Sequence, residues 1–263
     1  MFGICNQSIV PCRSEASHRS EMVTQLLFGE SFTILEETEE WAHILTAYDE
    51  YDCWISNKQY QSIKEDTFKK LQAQAQYMAT EPMQLIQDKK TNAFFPIVAG
   101  SLLPFLSGKE IQLENNVYEF SGESILPDTQ HISRNKIIST AYPYLNSPYL
   151  WGGRSFFGID CSGFTQIVFK LNGFKLPRDA SQQAVLGLPL SFVEEAQVGD
   201  LAFFDNEEGK ITHVGIVLDD NKIIHASGKV RIDKLDHYGI FNLDTKKYSH
   251  HLRVIKKILS DVA

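Results

Sequence analysis

Phe164, Ile167, Val168 and Leu171 recur at the i, i+3, i+4, i+7 spacing of one buried helical face, Gly173 follows as a stop, and Asp160-Cys161-Ser162-Gly163 stands immediately ahead. The pattern predicts a helix with a cysteine in its first turn. Unpaired backbone N–H groups and the positive end of the helix dipole favour thiolate over thiol there, and the same donors can hold an oxyanion. Cys161 is therefore expected to be an activated nucleophile.

A nucleophile needs a base. Thr212-His213-Val214-Gly215-Ile216-Val217-Leu218 and Ile223-Ile224-His225-Ala226 read as short strands around the turn signal Asp219-Asp220-Asn221, so a hairpin is predicted. A three-residue loop pairs Leu218 with Lys222 and Gly215 with His225, putting His213 and His225 on the same sheet face; an even loop would separate them. Gly215, without a side chain, leaves room for two imidazoles to approach. The order Cys, His, His suits a thiol hydrolase whose second histidine orients the first.

Six segments then occur in one order: Tyr149-Leu150-Trp151-Gly152-Gly153, Gly158-Ile159-Asp160-Cys161-Ser162-Gly163-Phe164, Leu176-Pro177-Arg178-Asp179, Gly199-Asp200-Leu201-Ala202-Phe203-Phe204, Thr212-His213-Val214-Gly215-Ile216 and Ile224-His225-Ala226. On these, residues 135–258 resemble the NlpC-type cell-wall peptidases, papain-like cysteine enzymes that cleave the γ-D-glutamyl to L-diamino-acid bond of murein peptides. The resemblance implies Cys161 as nucleophile, His213 as base and His225 as orienter. It also implies an oxyanion held by the Cys161 N–H and the Tyr149 hydroxyl. Trp151 then either shapes the groove or packs in the core. Asp160 and Ser162 flank the nucleophile as substrate contacts, with a helix-capping role open for Asp160.

Ahead of this region, 1–63 holds short strand-like runs separated by turn or charged residues. Gly29-Glu30, Glu39-Glu40-Trp41 and Tyr51-Asp52-Cys53-Trp54-Ile55 are similar to bacterial SH3-like domains. The expected architecture is α+β: a first SH3-like barrel at 1–63, a charged, helix-prone linker at 64–76, a second, degenerate SH3-like barrel at 77–125, a linker at 126–134, and a peptidase domain at 135–263 with a helix-borne cysteine packed on an antiparallel sheet. Relatives of this layout recognise the free N-terminal L-alanine of L-Ala-γ-D-Glu-L-diamino-acid peptides with an aspartate after the catalytic helix. By that resemblance the residue is Asp179, with Tyr51 for the same pocket and the first barrel closing one end of the groove. An ion pair with Arg178 or a cap for Ala180-Ser181-Gln182-Gln183 stands equally open for Asp179.

The other residues of these types are expected to be structural: Cys5, Cys12 and Cys53 as filling, and His18, His43, His131, His237, His250 and His251 as ordinary histidines. Paired C-x-x-C or H-x-x-x-H ligand spacing is lacking, so neither metal nor cofactor is expected. Net charge is −8 with no Lys/Arg block interleaved with aromatics, which argues against nucleic acid. No apolar run approaches the roughly 18 residues of a membrane span. Murein peptides are the expected partner, with no obligate protein partner. Met1 to Arg13 shows no leader pattern, and four cysteines including one nucleophile do not form a disulfide framework, so a cytoplasmic enzyme of murein-peptide recycling is the first reading. An exported wall hydrolase with polymer-binding barrels and a non-catalytic murein-peptide sensor are the alternatives.

Overall fold

The computed structural model describes residues 1–129 and 132–259. His131, expected to be structural, and Gln130 of the expected 126–134 linker lie outside the described residues. The chain forms two compact units, Met1–Pro127 and Asp128–Ala263, and the architecture is mainly antiparallel β with few helices. No helix among the described residues is long and apolar enough to cross a membrane.

In the first unit, inward and outward residues alternate along strands such as Ile9–Arg13 and Trp41–Thr46, as a half-buried pleat requires. Seven strands run in the order Met22–Leu27, Ile9–Arg13, Asp52–Ser56, Trp41–Thr46, Ser31–Glu37, Phe2–Ile4 and Gln61–Ile63. Cys5, Cys12 and Cys53 are free thiols buried in their core beside Val10, Leu26 and Ile44. A four-stranded and a three-stranded sheet follow over 77–125.

The 64–76 segment is more than a bridge. Its helix, Glu65–Ala73, buries Leu71 in a core that joins Ile4, Phe28 and Ile63 to Ala79, Ile86, Ile111 and Phe120, and the Phe68 ring stacks on Phe2 at 4.3 Å. Phe68 and Leu71, three apart, share one helical face, while Glu65 and Lys69 pair on the wet side at 2.6 Å. Composition registers the charges and misses that narrow apolar face.

The second unit is built on a seven-stranded antiparallel sheet in the order Leu188–Pro189, Lys247–Lys257, Leu201–Asp205, Ile211–Leu218, Lys222–Ser227, Lys229–Asp236 and Gly239–Asn242. Gly239–Asn242 also pairs with Lys247–Lys257, so the sheet closes on itself. The Cys161–Leu171 helix packs on Ile211–Leu218 and Lys222–Ser227 and is buried along its whole length. Two of its polar members hydrogen-bond inside the unit: Gln166 Nε2 donates to the Leu176 carbonyl at 3.1 Å, and Thr165 Oγ1 to Gln183 Oε1 at 2.7 Å.

The predicted hairpin forms in the predicted register, with Leu218 opposite Lys222 and Gly215 opposite His225. Asp220 and Asn221 take left-handed φ of 58° and 53°, a conformation that Asp and Asn tolerate. A Cβ on Gly215 would lie 2.7 Å from the Ile223 side chain and 2.9 Å from His225 Cβ. Gly215→Ala is accordingly expected to cost about 1–3 kcal/mol through overpacking and to displace the His225 ring. Equilibrium unfolding and peptide hydrolysis should both register it; a variant with parental stability and rate would show that the contact relaxes freely.

Candidate active site

Asp160 caps the Cys161–Leu171 helix, and both of its oxygens are occupied. Oδ1 accepts from Gly163 N–H (2.6 Å), Arg178 Nη1 (3.0 Å) and Ser162 Oγ (3.3 Å); Oδ2 accepts from Gly152 N–H (2.8 Å) and Arg178 Nη2 (2.5 Å). Arg178 is 1% exposed and donates also to Ser162 Oγ at 2.9 Å. Asp160 takes the capping role left open for it, and Ser162 joins the same network at the helix start. Arg178 is a buried brace on Asp160. Gly163 completes the packing, since a Cβ there would sit 2.3 Å from the Gly153 carbonyl oxygen.

Cys161 lies in the first helical turn, as predicted, and is 7% exposed. Burial, and then the Asp160 carboxylate, push its thiol up to about 12 despite backbone N–H groups of Val214 and Ser162 that pull it down. The expectation of a resting thiolate is therefore corrected: desolvation outweighs the helix terminus. A protonated thiol must lose its proton to a base as it attacks.

Two imidazoles stand on the facing strands. His213 Nε2 and His225 Nδ1 are 2.8 Å apart, and both rings are buried. With Nε2 engaged, Nδ1 is the nitrogen His213 has left. The residue after His213, Val214, reaches the Cys161 sulfur with its backbone N–H, which brings thiol and histidine strand together. Burial, His225 and His250 keep His213 well below its ordinary 6.5, so it is a neutral acceptor at physiological pH.

The sequence reading missed two neighbours. His250, expected to be an ordinary histidine, stacks flat on His213 with centroids 4.0 Å apart and planes at 21°. Asp233 is fully buried and 3.1 Å from His225 Nε2. His213, His225 and His250 offer nitrogens within 4.8 Å of one another, and among the described residues they are the group that could hold a metal. The stack works against it: rings lying face to face direct their lone pairs along near-parallel planes, a poor arrangement for two nitrogens that must converge on an ion at about 2.0–2.1 Å.

The remaining predicted residues are scattered in role. Tyr149 is half-buried, and burial with the nearby Asp160 carboxylate holds its phenol protonated, so it can donate beside the thiol. Trp151 is 60% exposed, which fits a groove wall better than core packing. Asp179 is the N-cap of the short helix Ala180–Gln183, and its backbone N–H donates to Gln182 Oε1 at 3.1 Å; its side chain remains partly exposed. Tyr51 belongs to the first unit, where its N–H donates to Thr46 Oγ1 at 2.8 Å.

Three depressed histidines make an acid-stability prediction. His213, His225 and His250 all lie below 6.5 through burial, His250 at about 4. The unfolded chain then binds protons that the native state refuses, so stability from these rings is complete above pH 6.5 and is lost as pH falls toward the native values. The Tm of the second unit should fall between pH 6.5 and 4.5, above the window where carboxylates protonate, and His250→Phe should flatten that fall. Thermal melts across this range check it; an equally steep fall in the variant would assign the effect elsewhere.

A thiol at a buried helix start beside an oriented imidazole pair defines a cysteine-nucleophile hydrolase. Residues 146–251 match the model of the NlpC/P60 family, and residues 12–59 that of the bacterial dipeptidyl-peptidase Sh3 domain. The chain is 34% identical over 246 residues to gamma-D-glutamyl-L-lysine dipeptidyl-peptidase of Bacillus subtilis (strain 168), covering 86% of this chain and 75% of that protein. It is 28% identical over 253 residues to dipeptidyl-peptidase 6 of Lysinibacillus sphaericus, covering 85% and 88%. The fold matches the crystal structure of an NlpC/P60 family protein from Bacillus cereus ATCC 10987 with a TM-score of 0.83, at 20% identity over 99% of this chain and 100% of that one. The chain belongs to the NlpC/P60 family of cysteine peptidases, with a bacterial SH3 domain N-terminal to the peptidase domain.

Proposed function

We propose that this peptidase hydrolyses the γ-D-glutamyl to L-diamino-acid bond of free murein peptides, L-Ala-γ-D-Glu-L-diamino acid, releasing the N-terminal dipeptide. One observation carries the chemistry: the His213–His225 hydrogen bond on the strand whose Val214 N–H reaches the buried Cys161 sulfur. The bond cleaved is suggested by the relatives called gamma-D-glutamyl-L-lysine dipeptidyl-peptidases. In this reading 77–125 is a second, degenerate SH3-like barrel and the second unit a papain-like α+β domain.

Acyl transfer then proceeds in two steps. Cys161 Sγ attacks the γ-carbonyl carbon of D-glutamate while His213 Nδ1 takes the thiol proton. The helix-terminal N–H of Cys161 and the Tyr149 hydroxyl support the oxyanion. His213 returns the proton to the departing amine, then activates the water that opens the thioester. Asp179 meets the ammonium of the N-terminal L-alanine, a role its partial exposure at the head of a one-turn helix allows.

A charge-assisted hydrogen bond of this kind contributes about 1.5–3 kcal/mol, roughly a ten- to hundredfold effect on kcat/KM. Free tripeptide should therefore be preferred over its N-acetyl form by that factor, and Asp179→Asn should erase most of the preference. Measuring kcat/KM for both peptides with both proteins decides; a parent that cuts the acetylated peptide equally well would overturn free-amine recognition.

A further inference from the structure

We infer that Asp233 is a positioning residue that sets the direction of the hydrogen-bond chain through His225 and His213, and so decides which nitrogen of His213 is bare. The inference rests on the peptidase reading above only for its rate arm.

Asp233 sits on the strand Lys229–Asp236, fully buried, with donors on every side. Oδ1 accepts from Leu243 N–H at 2.8 Å and from Arg231 Nη2 at 2.9 Å; Oδ2 accepts from Arg231 Nε at 2.6 Å and faces His225 Nε2 at 3.1 Å. A carboxylate ion-paired to Arg231 can only accept hydrogen bonds. The proton on the Asp233–His225 contact therefore belongs to His225 Nε2. A neutral imidazole carries one ring proton, so His225 Nδ1 is bare. Nδ1 lies 2.8 Å from His213 Nε2 and must accept from it. His213 then carries its proton on Nε2, and its Nδ1 lone pair is the one left to take a proton from the Cys161 thiol.

Reversing the chain reverses the outcome. With the proton on His225 Nδ1, His213 Nε2 would accept and Nδ1–H would point its own proton outward, leaving no base. During the reaction one proton moves from Cys161 Sγ to His213 Nδ1 and later to the leaving amine; the protons on His213 Nε2 and His225 Nε2 stay in place, and none passes to Asp233. The buried carboxylate fixes the tautomer beforehand and faces the imidazolium when it forms, the logic by which an orienting acid serves a catalytic histidine through one intervening ring.

The position of Asp233 explains why it serves. His225 pairs with Arg231 across the next hairpin, and Asp233 pairs with Ile223. Arg231 and Asp233, two apart, share the sheet face that carries His225, so the carboxylate is a diagonal neighbour of the ring it holds and arrives with its counter-ion.

Ring nitrogen-15 shifts in the full-length parent test the proton order without any substitution. At neutral pH both Nε2 atoms should read as protonated and both Nδ1 atoms as bare, with a scalar coupling across the His213 Nε2–H to His225 Nδ1 bond; a protonated His225 Nδ1 would overturn the inference. For Asp233→Asn, whose amide can donate to His225 Nε2, kcat should fall about 10- to 100-fold with KM little changed, and the spectrum should show mixed or reversed tautomers. A folded Asp233→Asn protein with parental kcat and the parental tautomer would equally overturn it. A parent with the expected ring shifts that leaves γ-D-glutamyl peptides intact would sink the proposed substrate and leave the proton order standing.

Discussion

Cys161→Ala is expected to lower turnover at least about 10⁴-fold, because acyl transfer has no other nucleophile and what survives is binding and oxyanion support alone. The same variant should lose only about 1 kcal/mol of stability, the scale of deleting one buried heavy atom. His213→Ala should fall nearly as far, since a thiol pushed up to about 12 delivers almost no thiolate unaided at neutral pH. His225→Ala should fall less far, because the base survives and loses only its orientation. Hydrolysis by Cys161→Ala at even a hundredth of the parental rate would remove the cysteine from the mechanism.

The second large effect is on stability. Arg178→Met leaves the Asp160 carboxylate buried, with the Gly152 and Gly163 N–H groups and the Ser162 hydroxyl as partners but without the guanidinium that donates to both of its oxygens. Breaking one side of a buried ion pair typically costs about 3–5 kcal/mol, far more than the pair is worth against an apolar replacement of both members. Both residues lie in the second compact unit, so the loss should appear in that unit's unfolding transition and leave the other in place. The double variant Asp160→Asn with Arg178→Met should recover part of the loss, which a double-mutant cycle isolates. A single-variant loss under about 1 kcal/mol would mean that water reaches the carboxylate.

Much of this site was readable because two periodicities carried it. The 3.6-residue spacing of Phe164, Ile167, Val168 and Leu171 located the helix start, and the period-2 parity of the 219–221 loop placed His213 and His225 on one face. Both signals are local, and both need only a few residues. What failed was non-local. His250 reaches His213 through a strand that returns from the end of the chain, with register shifts between Phe203 and Phe204 and between Ile240 and Phe241, and a bulge defeats parity counting. Asp233 comes to His225 only through the register of a second hairpin around Gly228, which sets it opposite Ile223. The Arg178–Asp160 brace joins positions 18 apart through a loop no pattern constrains. The thiolate expectation failed for another reason: a helix N-terminus is visible in sequence, whereas the desolvation that opposes it depends on how the whole unit closes over Cys161.

The proposed function stands on the cutting of one particular bond of a free murein peptide. Incubating the full-length protein, its Cys161 thiol reduced, with L-Ala-γ-D-Glu-L-Lys and weighing the products by mass spectrometry tests it most directly. L-Ala-D-Glu and free L-lysine are expected in equal amounts, and no product from Cys161→Ala. Intact tripeptide after prolonged incubation, or release of L-alanine in place of L-lysine, would contradict it.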